Sequence, residues 1–168
     1  MSISVYDQTV GAMSHMLRNL DAIVSKAETH AEQHSIDPNA LLQARLFPNM
    51  LNFIVQIGIA TDIGKGAAAR LSGGEVPVWD DIEASFAGVH ARIHKTLDYL
   101  AGFEPSQFTD SEDRAISLTI GGQSLEFTGQ DYILQFVLPN FYFHVTTAYD
   151  ILRHNGLDIG KRDFLGGS

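Results

Sequence analysis

The 168-residue chain contains no cysteine, which excludes disulfides, thiolate metal sites and cysteine nucleophiles. Positive charge is scarce. Eleven Lys and Arg stand against 20 Asp and Glu, for a formal net charge of −9. Phosphate backbones demand clustered Lys and Arg, and the short basic pair Lys161-Arg162 sits beside Asp163, so no nucleic-acid partner is expected. Long apolar runs are lacking too. The longest candidate, MLNFIVQIGIA (Met50 to Ala60), falls short of the roughly 20 residues that cross a bilayer and carries Asn52 and Gln56. The opening segment MSISVYDQTV has neither the basic region nor the apolar core of an export signal. The expectation is a cytoplasmic protein with no membrane span. A G-x-S-x-G elbow is also missing, and the pairs Gly73-Gly74 and Gly121-Gly122 read as turns, without the strand–loop–helix context of a phosphate-binding loop.

What is present is an ordered globule, 45% hydrophobic and 18% charged, of a length that suits one domain. Residues 1–168 show no repeat, low-complexity tract or linker. Apolar residues recur at three-and-four spacing from about Val5 to His34, predicting a first long helix. Asp37-Pro38 reads as an N-cap followed by proline at the first helical position, opening a short turn through Leu42. Pro48 is expected to open a second long helix that runs to about Leu71 and stops at Ser72-Gly73-Gly74. That helix is apolar nearly all round, which predicts a central position.

A third long helix is expected from about Asp80 to Ala101. AISLTIGGQSLEF then alternates on both sides of Gly121-Gly122, a β-hairpin signal. Thr128 with Asp131 resembles a capping box with a shorter acid, opening a last helix to Asn155 that Pro139 kinks or divides. The tail from Leu157 is expected to lie back on the body through Ile159, Phe164 and Leu165. The fold class is therefore mainly all-α: four main helices with a small β-hairpin inserted before the last.

Seven histidines raise the question of metal. At ~100° per residue, His144 shares a stripe with Val137, Asn140, Ala148 and Ile151, with Thr147 nearby. The same arithmetic puts Arg45, Asn49, Asn52 and Gln56 on one stripe of the second long helix. Buried amides need partners, so Asn49, Asn52, Gln56, Asn140, His144 and Thr147 are expected to share a polar pocket inside the bundle. His144 has three readings there: a hydrogen-bonded core residue, the wall of a binding pocket, or a metal ligand. The pairs His30/His34 and His90/His94 have the i, i+4 spacing that lets two imidazoles reach one ion. No third ligand is evident for either pair, and exposed helix surface is the expectation. Asp62 and Lys65 are placed for an i, i+3 ion pair.

The segments QIGIATDIGKGAAARL, FTGQDY, LPNFYFHVTTAYDILRHNG and IGKRDF together resemble an uncharacterised bacterial domain-of-unknown-function family grouped with the DinB/YfiT-like helical bundles. The likeness covers nearly the full length. It implies a DinB-like four-helix bundle, often a homodimer. It also implies, for some branches, a divalent metal such as zinc or nickel held by three histidines, one from the second long helix and two spaced by four on the last. Such an open site suits thiol-dependent transfer or hydrolysis.

This chain departs from that triad. His144 stands in the last helix, but Asn140 lies four residues before it and Ala148 four after, and the second long helix has no histidine. The resulting expectation is a polar pocket without a metal, which binds a small molecule or serves a dimer. The alternative is a metal-dependent transferase or hydrolase in which His144, with Gln56 and Asn52, holds an ion that activates water. If dimers form, the apolar breadth of the first and last helices makes them the expected interface.

Overall fold

The computed structural model describes residues 3–167. A π-helical turn, Asp7–Gly11, leads into α1, Ala12–Gln33, which buries Met13, Leu17, Leu20 and Val24 as their spacing predicts. Asp37 caps α2, Pro38–Leu42, by accepting from the Asn39 amide at 2.9 Å.

The next helix, α3 (Phe53–Ser72), starts five residues later than Pro48 suggests. Pro48 and Asn49 instead lie in a turn in which the Met50 amide donates to the Phe47 carbonyl at 2.9 Å. Asn52 is the true cap. Its backbone is extended and its Oδ1 accepts from the Val55 amide at 3.1 Å, which is what an N-cap asparagine supplies to an unpaired first-turn donor. At the far end Gly73 takes φ +80°, and the Gly74 amide reaches the Ala69 carbonyl at 2.8 Å, a Schellman-type stop.

Helix α4, Phe86–Ala101, also starts late relative to the expected Asp80. Ser85 caps it, its Oγ accepting from the Gly88 amide at 2.9 Å. Residues 80–84 form a non-helical connection before that cap, because the better cap lies at Ser85 rather than at either aspartate.

The hairpin forms as expected. β1 (Ala115–Ile120) pairs antiparallel with β2 (Gln123–Thr128), Ile120 opposite Gln123. Gly121 and Gly122 both have positive φ, the requirement of a type I′ turn. Ile116 and Leu118 point into the core and Ser117 points out.

Thr128 then caps the last helical run, its Oγ1 accepting from the Asp131 amide at 3.2 Å. That run comprises α5 (Gly129–Asp131), a π-helical segment (Tyr132–Val137) and α6 (Leu138–His154). Gly129 passes so close to the Ser111 carbonyl oxygen that a β-carbon there would overlap it. Pro139 does not divide the run. It sits in the first turn of α6, directly after the π segment, and Val137 and Leu138 keep right-handed helical dihedrals. The preceding turn is widened to π geometry, and a π segment is one of the local adjustments that accompany an interrupted backbone ladder inside a helix. The tail forms α7, Lys161–Leu165, docked on α1 through a Lys26–Asp163 ion pair and an Asn19 Nδ2 donation to the Phe164 carbonyl at 3.0 Å.

The bundle is mainly α, with its four long helices in an order that is not sequential. α1 packs against α4 and α6, and α3 packs against the same two. α1 and α3 are therefore diagonal, and the segment between them, including α2, crosses one end of the bundle. The core fills with Leu17, Leu20, Ile57, Val89, Ile93, Phe141 and Ile151, all at 2% exposure or less. Among the described residues no helix is long and apolar enough to cross a membrane.

Candidate functional site

Helices α3 and α6 bring Gln56 and His144 together. His144 Nδ1 lies 2.5 Å from Gln56 Oε1, and both side chains are buried. The amide is oriented by its other end, since Gln56 Nε2 donates to the Leu51 carbonyl at 3.0 Å. An amide oxygen only accepts, so Nδ1 carries the proton of the neutral ring and Nε2 holds the lone pair. Burial pushes the His144 pKa down, because the charged ring loses hydration.

The rest of the expected pocket is dispersed. Asn49 is exposed in the turn before α3. Asn52 is spent on the cap and on donating to Gln43 Oε1 at 2.6 Å. Thr147 Oγ1 bonds back to the Phe143 carbonyl at 2.7 Å. Asn140 lines a separate cleft of about 290 Å3 with Arg70, Tyr132 and the end of β1. There Arg70 donates to the Tyr132 hydroxyl at 3.2 Å.

Three histidines do not converge around His144. Its neighbours at the two diagnostic positions are Asn140 and Ala148, and the α3 partner is an amide. Among the described residues His144 belongs to no group of three His, Asp or Glu side chains with converging ligand atoms. One imidazole and neutral amides are a poor donor set for zinc or nickel, which favour several nitrogen or sulfur ligands. The residues present do not fit a three-histidine centre.

A larger cleft, of about 500 Å3, opens between the first half of α3, Arg92 on α4 and the connection at residues 81–84. Ile54, Val55, Ile59 and Ile82 form apolar walls, and Gln43, Asn52, Asp62, Asp81 and Arg92 are the polar groups. Arg92 is buried. One guanidinium nitrogen, Nη2, donates to the Asp80 carbonyl. The other, Nη1, is covered, makes no hydrogen bond among the described residues, and lies 3.6 Å from Asp62 Oδ1. Asp62 is half-exposed and bonds Lys65 at 2.7 Å, the expected i, i+3 pair.

Beside the cleft, Trp79 is ringed by cations: Lys65 at 4.6 Å, Lys95 at 4.8 Å and Arg92 at 5.4 Å from the indole centroid. Each such contact contributes about 0.5–1 kcal/mol where exposed and more where desolvated. Sequence reasoning missed Arg92. Its signal was a cation set among Val89, Ile93 and Thr96 on the apolar stripe of α4.

A third polar cluster joins α1 to α4. Asp21 Oδ1 lies 2.6 Å from His90 Nδ1, and Asp21 Oδ2 lies 2.9 Å from His94 Nε2. The ligand atoms of the three side chains lie within 4.8 Å of one another. The His90/His94 pair thus has the third partner that the sequence did not reveal. The other spaced pair, His30 and His34, has none among the described residues.

The chain is similar along nearly its whole length to a protein family and to a solved structure. Its residues 5–165 match a domain of unknown function, DUF1993. The structure is similar to the crystal structure of a DinB family member protein from Shewanella denitrificans, with 43% sequence identity and a TM-score of 0.89, over 97% of this chain and 92% of that one. No curated protein matches the chain. A match over nearly every residue, together with the helical bundle and its hairpin, means that this protein belongs to the DUF1993 family and has a DinB-like fold.

Proposed function

We propose that the protein binds a small organic molecule in the cleft between α3 and α4, through an acidic or carbonyl oxygen that engages Arg92. The observation that carries this reading is the buried guanidinium in the wall of an apolar-sided cleft, one nitrogen short of a hydrogen bond. A buried charged donor without its full set of partners is costly. An acceptor entering past the half-exposed Asp62 would complete the set. Pockets with apolar walls and few convergent polar groups are the usual form of small-molecule sites, and Asp62 and Asp81 favour ligands that also carry an amine.

The test is a thermal-shift screen of short-chain carboxylates, amino acids and their amides, followed by calorimetry of any hit. At a ligand concentration 100 times Kd the folded state gains about 2.7 kcal/mol, enough to raise Tm by several degrees. Carboxylate-bearing compounds should act on the wild type and fail on Arg92→Met. Hits that act equally on both would sink the reading.

A second reading is homodimer formation, favoured by apolar side chains left exposed on α3, on α6 and just before α3. Val55 and Phe143, both exposed, directly precede the bonded pair Gln56 and His144; Tyr142, next to Phe143, and Leu51, four residues before Val55, are exposed as well. No large apolar side chain of α1 is exposed, so the surface favours α3 with α6 over the pairing of α1 with α6. Sedimentation velocity at two concentrations should show a dimer that Phe143→Lys dissociates; a monomer at both would remove this reading.

A further inference from the structure

We infer that Asp21, His90 and His94 form a binding site for a single divalent transition-metal ion. His90 and His94 are one helical turn apart on α4, so both imidazoles leave the helix on one side. Their rings are 6.0 Å apart, centroid to centroid, and the carboxylate of Asp21 from α1 lies against both, one oxygen to each ring. The three ligand atoms are already gathered within 4.8 Å. Ion–ligand distances of about 2.0–2.2 Å need only small side-chain rotations to close on a common centre.

The outer environment suits the same role. When a ring binds an ion through one nitrogen, the other carries N–H and is usually held by a carboxylate or carbonyl. For His90 the candidate is Glu28, whose Oε2 lies 3.8 Å from Nε2, on the far side of the ring from Asp21. Glu28 follows Asp21 by seven residues, two turns along α1, so one helix face supplies both the ligand and a carboxylate within a small rotation of the ring's other nitrogen.

Exposure distinguishes a site from a sealed ion pair. His90 and Asp21 are mostly covered, with side chains 18% and 23% exposed, while His94 is 58% exposed. Two ligands are therefore held in place and the third faces solvent, leaving an entry path and room for water. Two imidazoles and one carboxylate suit zinc, nickel, cobalt or iron(II) better than calcium or magnesium, which prefer all-oxygen shells. His90 and His94 leave α4 about 160° around its axis from Arg92 by helical geometry, so this site is independent of the cleft.

The experiment is equilibrium titration of the full chain, freed of metal by chelator and carrying no affinity tag, with Zn2+. The expected result is one equivalent bound, accompanied by a rise in Tm. His94→Ala, an exposed position whose loss should leave the circular dichroism spectrum intact, should abolish stoichiometric binding. Asp21→Asn should weaken it, and Glu28→Gln should cost about 10–100-fold in affinity. The His30→Ala/His34→Ala double variant, which removes the spaced pair without a third ligand, should bind as the wild type does. Absence of a bound equivalent, or full affinity retained in folded His94→Ala, would overturn the inference.

Discussion

Phe53→Ala is expected to lower the free energy of unfolding by about 3–5 kcal/mol, the usual range for a buried phenylalanine cut to alanine. Phe53 is fully buried at the first turn of α3. The site has little freedom to collapse around the missing ring. Its amide donates to the Ala44 carbonyl at 2.9 Å, and the residue before it, Asn52, caps the helix while holding Gln43. These bonds keep the preceding segment at its distance, so the cavity term adds to the lost transfer energy. Phe53→Leu, which leaves a smaller void, should cost markedly less. Urea unfolding gives the answer, provided the m-value stays constant. A loss below about 1 kcal/mol would mean that the segment between α2 and α3 relaxes freely onto the core.

Gln56→Leu should cost about 1–3 kcal/mol, because it strands the buried His144 Nδ1–H and removes the donor to the Leu51 carbonyl. The same pair sets a pH dependence. Burial holds the His144 pKa below its ordinary value, near 6.5 in an unfolded chain. Between the lowered and the ordinary value the unfolded chain binds more protons than the folded one, so stability falls as the pH drops through that window. Above the ordinary value the contribution is constant, and below the lowered value the loss is complete. Wild-type protein should therefore lose more stability between pH 8 and pH 5 than His144→Gln does. Equal losses in the two proteins would show that the ring titrates as freely folded as unfolded.

Much of the architecture was written locally. Helical spacing located α1 through Met13, Leu17, Leu20 and Val24, the paired glycines fixed the hairpin turn, and Thr128 announced the last helical run. Angular arithmetic on two helices was enough to face Gln56 toward His144. The structure departs from the sequence pattern where several residues compete for one task. Pro48 and Asp80 both resemble helix starts, but Asn52 and Ser85 hold the extended backbone and the side-chain oxygen that close the first turn. Asn49 fell off the polar stripe for that reason: the helix carrying the stripe begins after it.

The clusters assembled from distant segments are the least legible. Asp21 is 69 residues from His90, and nothing in the spacing of either helix says that α1 and α4 lie side by side. Arg92 stands on the apolar stripe of α4, but what covers it is set by the connection at Trp79 and Asp80, which folds over it. Each depends on the order of helices around the bundle, which follows from the diagonal crossing between α1 and α3.

The ring of cations around Trp79 makes the protein its own optical reporter. It is the only tryptophan in the chain, so the emission of the indole comes from a single place. Its excited state responds to nearby charge, and one of the charges on it is the same guanidinium that lines the large cleft. A molecule that draws Arg92 toward itself changes the field at the indole, and the fluorescence of the unlabelled protein records the event.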